Sequence, residues 1–427
     1  DSLVWRVAQD HERAALLFAA TEFGVFVTLN GGAQWQKLDS GMPTISIRDI
    51  RIQRRENDLV AASFGRGFFV LDDYALLRSF KPKEQMQEAT LFETRPARWY
   101  FERPVLGATR RGSQGDQLYV ADNPPFGAVV SYYLRDGYPT KAEARQKAEA
   151  EALEAGDAVT FPGWDSVEAE RRETVPALRI VIRNENGAVI RRLDAPTTKG
   201  LHRVAWDLRH PYYGSVETPP NWQGQLPSGF LVKPDADYTA ELALITEGET
   251  RLLTGPVTIR VNRMTTPALQ GADIAEVTAF WDALADVGGQ VSASQYALSD
   301  IFEDIETLHK VLESSNVKPG ATEQKLAALK SEAYELDRAL SGDKSKVEVG
   351  EYDIHRITSW LWHAQGGVAN STYGPTPSHR TSLDNARKAL APVAAAINRM
   401  LNEDLPQLRS ELTAEGAPWG RGQHVPQ

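Results

Sequence analysis

Leu17-Phe18-Ala19-Ala20-Thr21 leads into Gly24-Val25-Phe26-Val27, and forty-three residues later Val60-Ala61-Ala62-Ser63 leads into Gly67-Phe68-Phe69-Val70. At that single offset Leu17 maps onto Val60, Ala19 onto Ala62, Gly24 onto Gly67 and Val27 onto Val70. Short runs of apolar, β-branched and aromatic residues recurring at a spacing in the forties are the signature of β-propeller blades, each repeat being one small sheet. The chain carries only about two such units, and a closed propeller needs at least four. Residues 1–78 are therefore expected to be terminal blades, with the remaining blades supplied by the same or another chain.

Working outward, Leu3 to Val7, Ala15 to Ala20 and Val25 to Thr28 read as strands, and Asn30-Gly31-Gly32 as a hairpin turn. Ile45 to Ile52 alternates apolar and polar residues with a slip near Asp49 that a β-bulge explains. Leu59 to Ala62 and Phe68 to Leu71 follow, joined through Gly65-Arg66-Gly67, and Asp72-Asp73 stops the pattern. Residues 79–126 lack periodicity and are rich in Pro, Arg and Gly. They read as an ordered connector with an exposed loop over Arg110 to Asp116.

Residues 127–262 read as an immunoglobulin- or fibronectin-like β-sandwich. Its strands are Ala128 to Leu134, Leu178 to Arg183, Val189 to Leu193, Leu201 to Leu208, Tyr238 to Ile245 and Val257 to Val261. An Ala-, Glu- and Lys-rich insertion over 139–156 reads as a helix from Lys141 to Gly156, and Tyr212 to Phe230 as a long aromatic loop. Residues 266–410 read as an up-and-down helical bundle. The expected helices are Ile274 to Ser292 after an Asp273 cap, Leu298 to Leu312, Thr322 to Leu340, Ile354 to Val368 and Leu383 to Leu401. Residues 411–427 read as an extended tail. The fold class is thus multidomain β plus α.

Composition narrows the function. Among 427 residues the net charge is −10, with 42 % hydrophobic and 24 % charged residues, ordinary for a globular protein. An acidic balance without a basic stripe argues against nucleic acid as a partner. The absence of cysteine removes disulfides, thiolate metal sites and thiol nucleophiles. No run of 18 or more apolar residues codes a membrane span.

Thr28-Leu29-Asn30-Gly31-Gly32-Ala33-Gln34-Trp35 resembles the Asp-box, S/T-x-D-x-G-x-x-W, of sialidase-type and sortilin-type propellers. Its residues Thr28, Asn30, Gly32 and Trp35 are structural. A side-chain acceptor holds the turn, glycine supplies backbone freedom and Trp packs between sheets. Asn30 stands where the family has Asp and still accepts a hydrogen bond. The stretch Gly65 to Asp73 is similar to one near the propeller end of bacterial Asp-box proteins. In it Arg66 either presents a guanidinium to an anionic group or sits solvated on a tight turn. Asp72 and Asp73 as calcium ligands fit poorly, since adjacent strand residues point to opposite faces.

Other candidates favour bland readings. On Gly200 to Arg209, His202, Val204, Trp206 and Leu208 share the expected core face, while Arg203 and Asp207 share the other, near Arg209. Glu306-x-x-His309 matches half of a di-iron bundle motif, Glu351 and His355 are spaced for two more ligands, and an exposed helix face is the stronger reading. Trp360, Trp362 and His363 read as bundle core and rim. No nucleophile elbow, zinc-protease motif, phosphate loop or dinucleotide fingerprint is present, and none of 57 acidic residues is singled out as a glycosidase pair. No catalytic residue, metal site or cofactor is expected.

The chain as a whole resembles the C-terminal half of large bacterial Asp-box (BNR-repeat) proteins of the sortilin-like, glycosyl hydrolase-like group. That resemblance implies export to the periplasm or cell surface and a propeller that binds peptides or glycans. Sialidase-type catalytic residues are spread over blades this chain lacks, so none carries over. The leading expectation is a non-catalytic protein- or glycan-interaction module. The alternatives are part of a glycoside hydrolase whose active site lies on other blades, or a structural subunit of an exported assembly that uses the bundle and the Tyr212 to Phe230 loop as contact surfaces.

Overall fold

A computed structural model describes residues 2–38, 41–81, 87–102, 121–221, 227–264, 270–318, 320–351 and 356–420. The expected loop Arg110 to Asp116 and the residue His355 lie outside the described residues. Among the described residues the chain is mixed β and α, with four sheets and a C-terminal helical region. It divides into two compact units. The first comprises Asp1–Trp99, Pro104–Leu208 and Pro234–Met264, and the second Tyr100–Arg103, Arg209–Lys233 and Thr265–Gln427.

In the first unit, β1 (Val4–Gln9), β2 (Leu17–Thr21), β3 (Gly24–Thr28) and β4 (Gln36–Leu38) form an antiparallel meander in that order. A second meander follows from β5 (Ile47–Gln53), β6 (Asp58–Ser63) and β7 (Phe68–Leu71). Alternation places Phe18, Ala20, Val25, Ile47, Ile50 and Leu59 in one core shared by the two sheets, joined by Tyr74. The repeat is close but not in register. The β2–β3 hairpin closes at Thr21↔Gly24, whereas β6–β7 pairs Ala62↔Phe68 and turns through Ser63 to Gly67. Ser63 Oγ donates to the Gly67 carbonyl at 2.8 Å, so the second hairpin has a longer loop and its return strand slips by one residue.

A 3-10 turn over Tyr74–Arg78 is capped by Asp73, whose carboxylate accepts from the Ala75 N–H. The turn is tied to the first sheet through Asp10, which is 4 % exposed. Asp10 accepts from the Tyr74 hydroxyl at 2.8 Å, Arg78 Nη2 at 2.9 Å and the N–H groups of Glu12 at 2.8 Å and Arg13 at 2.7 Å.

The segment read as a connector contributes strands β8 (Ala89–Leu91) and β9 (Ala97–Trp99). Next come β10 (Ala128–Leu134), helices α1 (Lys141–Ala155) and α2 (Trp164–Arg171), then β11 (Ala177–Arg183), β12 (Val189–Ala195), β13 (Gly200–Trp206), β14 (Ala236–Thr246) and β15 (Glu249–Arg263). They build a three-stranded sheet, β13-β10-β8, and a five-stranded one, β12-β11-β14-β15-β9. Only β15 with β9 is parallel among these pairings. Leu178, Ile180 and Ile182 of β11 are all 0 % exposed, as period-two alternation on a half-buried strand requires. Trp206 of β13 meets Tyr238 of β14 edge to face at 5.2 Å. Gly127 has φ +104°, and a Cβ there would lie 1.9 Å from the Trp206 carbonyl oxygen, so only glycine fits. α1 starts on a Thr140–Glu143 capping box, and neither α1 nor α2 buries a residue. The Ala/Glu/Lys composition of α1 offers no apolar stripe, and the pair is joined by Arg145–Glu170 at 2.7 Å.

The second unit contains α3 (Ile274–Glu313), α4 (Ala321–Ser341), α5 (Lys344–Glu348), α6 (Ile357–Gln365), α7 (Pro377–Arg399), a π-helical turn (Met400–Asp404) and α8 (Leu405–Ala414). Asp273 caps α3 by accepting from the Ala275 N–H at 2.8 Å. The two helices expected over 274–292 and 298–312 are one. Val287, Val291, Ser294, Leu298, Ile301, Ile305 and Leu308 are all buried in α3 and form an unbroken heptad stripe. Ser294 occupies a core position as a small residue and bonds back to the Gln290 carbonyl, which made the stripe look interrupted. The expected tail is helical as far as Ala414. Trp362 is 71 % exposed, so it belongs to the rim of the helical region and not to its core. The long aromatic loop folds onto α3 within this unit: Tyr213 stacks on Phe230 at 5.6 Å and Phe230 on Trp281 at 5.9 Å. Gly288 gives Tyr213 its place, since a Cβ there would sit 2.6 Å from the ring.

Candidate functional site

The most concentrated exposed chemistry lies on the first two sheets. It begins with two bulges. In β1, Val4 pairs with Thr21 and Arg6 with Ala20, leaving Trp5 as the extra residue. In β5, Ile47 pairs with Ser63 and Asp49 with Ala62, leaving Arg48 as the extra residue and accounting for the slip read near Asp49. Bulges re-aim the side chain they release. Here the two released side chains meet: the Arg48 guanidinium lies 3.8 Å from the Trp5 ring centroid and 4.9 Å from that of Phe64. Beside them Arg6 faces Asp49 at 3.6 Å. Both contacts join positions separated by forty-three residues, the repeat offset itself.

Around this stack Leu3, Trp5 and Val7 are 52 %, 41 % and 51 % exposed, and Phe64 and Phe68 are 67 % and 75 % exposed. Arg66 stands at the tip of the β6–β7 loop between Gly65 (φ +85°) and Gly67 (φ +75°). It is exposed and, among the described residues, has no hydrogen-bond or ion-pair partner. The arrangement offers aromatic faces and a solvent-facing guanidinium, suited to stacking and to contacting an anionic or hydroxyl-rich group.

Thr28, Asn30, Gly32 and Trp35 form a local turn. Thr28 Oγ1 donates to Asn30 Oδ1 at 2.9 Å and accepts from the Gly32 N–H at 3.0 Å, while Asn30 Oδ1 accepts from the Gln34 N–H at 2.9 Å. Gly32 has φ +100°, a conformation glycine adopts without strain. Trp35 was expected between sheets, yet it is 40 % exposed and lies against its own turn near Gly32.

The remaining candidates are occupied structurally. The main-chain oxygens of Asp72 and Asp73 accept from Arg203 at 2.7 and 2.6 Å. Burial, reinforced by Asp58, pushes the Asp72 carboxyl above its ordinary range. Trp206 is fully buried as expected, and His202 stacks on Tyr132 at 5.1 Å with Nε2 at 2.6 Å from the Thr198 oxygen. Glu306 pairs with Lys330 at 2.7 Å and His309 with Glu313 at 3.3 Å, both on solvent-facing helix surface. Among the described residues no group of three or more metal-ligating side chains is assembled.

Trp5 and Arg48 were not legible as a pair, because their meeting needs two bulges; the offset alone could have aligned them. A second feature lies between the sheets, a cavity of about 430 Å³ lined by residues of β3, β4, β6, β7 and the 3-10 turn, with Leu201 and Arg203 of β13.

No family model and no curated protein sequence matches the chain. Among solved structures, the chain aligns with the extracellular domain of a one-component system from B. thetaiotaomicron at 8 % identity and a TM-score of 0.15, over 61 % of this chain and 25 % of that one. A hybrid two-component system's extracellular domain from the same organism aligns at 9 % identity and a TM-score of 0.14, over 63 % and 26 %. The chain therefore spans about a quarter of the length of the chains in these two structures. At such TM-scores the alignments assign neither fold nor role. No helix among the described residues is long and apolar enough to cross a membrane.

Proposed function

We propose that the chain is a non-catalytic protein- or glycan-interaction module of an exported propeller-type protein, with its first two sheets as consecutive repeats of the propeller. The supporting observation is the pair of contacts between repeat-equivalent positions, Trp5 with Arg48 and Arg6 with Asp49. Side-by-side contact of corresponding strands is what successive repeats make when each packs on its neighbour. The exposed Leu3, Trp5 and Val7 are the surface on which the next repeat would pack, whether from the same or another chain. Arg66 and Phe68 then serve as ligand contacts, the guanidinium for a carboxylate and the ring for stacking on a peptide or sugar. Export to the periplasm or cell surface belongs to the same reading and rests on the Asp-box resemblance.

Peptide and glycan arrays probed with the wild type and an Arg66→Ala/Phe68→Ala variant test the reading. Binding by the wild type, loss in the variant and intact arrayed ligand are expected. Cleavage of an arrayed glycan by this chain would overturn it.

A further inference from the structure

We propose that the cavity between the first two sheets and β13 is a binding site for an amphipathic carboxylate, an unbranched alkyl chain ending in one carboxyl group. Its volume of about 430 Å³ falls within the range of about 300–1,000 Å³ typical of small-molecule sites. The walls are apolar: Leu59 and Ala61 of β6, Phe69 of β7, Leu38 and Met42, and the Tyr74 ring. The Tyr74 hydroxyl is engaged by Asp10, so it presents no free polar atom. Among the described residues, the charged ones that line it are Lys37 and Arg203, both cations.

The two cations differ. Arg203 is held by the carbonyls of Asp72 and Asp73, whose carboxylates lie close enough to offset its charge. Lys37 Nζ donates only to the Thr44 hydroxyl at 3.0 Å and faces no carboxylate among the described residues. It lines the cavity together with the exposed Gly41 and Val70. An ammonium with spare donors above an apolar well selects one anionic head and an alkyl tail. A multiply charged sugar phosphate would have to strip its water against leucine and phenylalanine side chains.

Isothermal titration of octanoate, decanoate and dodecanoate into the full chain, below micelle-forming concentrations, tests this. One saturable site is expected, tightening by about fourfold per methylene as the tail is buried. Lys37→Met keeps the carbon stem and should weaken decanoate about tenfold or more while leaving decan-1-ol unchanged, and Lys37→Arg should retain decanoate. The absence of saturable heat, affinity independent of chain length, or equal loss of decanoate and decan-1-ol in Lys37→Met would each overturn the proposal. None of these outcomes bears on the interaction-module reading, which rests on the opposite chemistry of an exposed face.

Discussion

At the residue scale, the first unit hinges on groups whose partners are distant in sequence. Burial alone would raise the Asp10 carboxyl. The Arg78 guanidinium, the Arg13 and Glu12 N–H groups and the Tyr74 hydroxyl outweigh it and hold the carboxyl well below the usual carboxylate range. The same contact and burial push the Tyr74 hydroxyl above its ordinary range, burial contributing most. A depressed folded-state value means that Asp10 stabilises the fold fully above the unfolded value near about pH 4, and that this contribution is lost as the pH falls below it. Asp10→Ala should cost about 3–5 kcal/mol in urea unfolding at pH 7, because it strands Arg78 as well as removing a charge. Asp10→Asn should flatten the acid limb of the stability curve. A milder effect is expected at the exposed stack. A double-mutant cycle of Trp5→Ala and Arg48→Ala should give a coupling of about 0.5–1 kcal/mol, and a value near zero would mean that the two side chains do not meet in solution. The sequence identifies Trp206 as a core anchor because strand alternation is local. It is silent on Asp10, Trp5 and Arg48 because the first needs a contact across sixty-eight positions to Arg78 and the others need bulges.

At the element scale, legibility follows the length and purity of each pattern. β11 alternates along its seven residues and lies where expected, while β10 is legible as a continuous run of largely buried residues. β8 and β9 have three residues each, too few to alternate visibly, and β9 pairs in parallel with a strand more than 150 positions away. In α3 a buried serine looked like a gap between two helices. Continuity there is testable. Ser294→Pro should cost about 3 kcal/mol or more, since proline removes a hydrogen bond and clashes with the preceding turn. Ser294→Ala should be near neutral. If residues 293–297 were a connection between two helices, proline would be tolerated, and unfolding midpoints of the two variants would coincide. The Arg66 turn was legible from its flanking glycines, whereas the meeting of Arg48 with Trp5 and Phe64 was not.

At the scale of the whole molecule, the central claim is that the first two sheets are successive members of a larger ring. Their shared core, their contacts at the repeat offset and the uncovered apolar residues on β1 point the same way. Soluble proteins rarely leave such contiguous apolar surface bare without a partner for it. The repeat could be read from sequence because both copies lie in one short stretch. The uncovered face could not, because exposure depends on what packs in three dimensions. The most direct measurement is the native mass, with N-terminal sequencing, of this protein taken from its source. A larger chain, or a tightly held second chain bringing more copies of the same repeat, is the expected result. A stable particle of only 47.2 kDa with the Leu3, Trp5 and Val7 face still open to solvent would contradict the account.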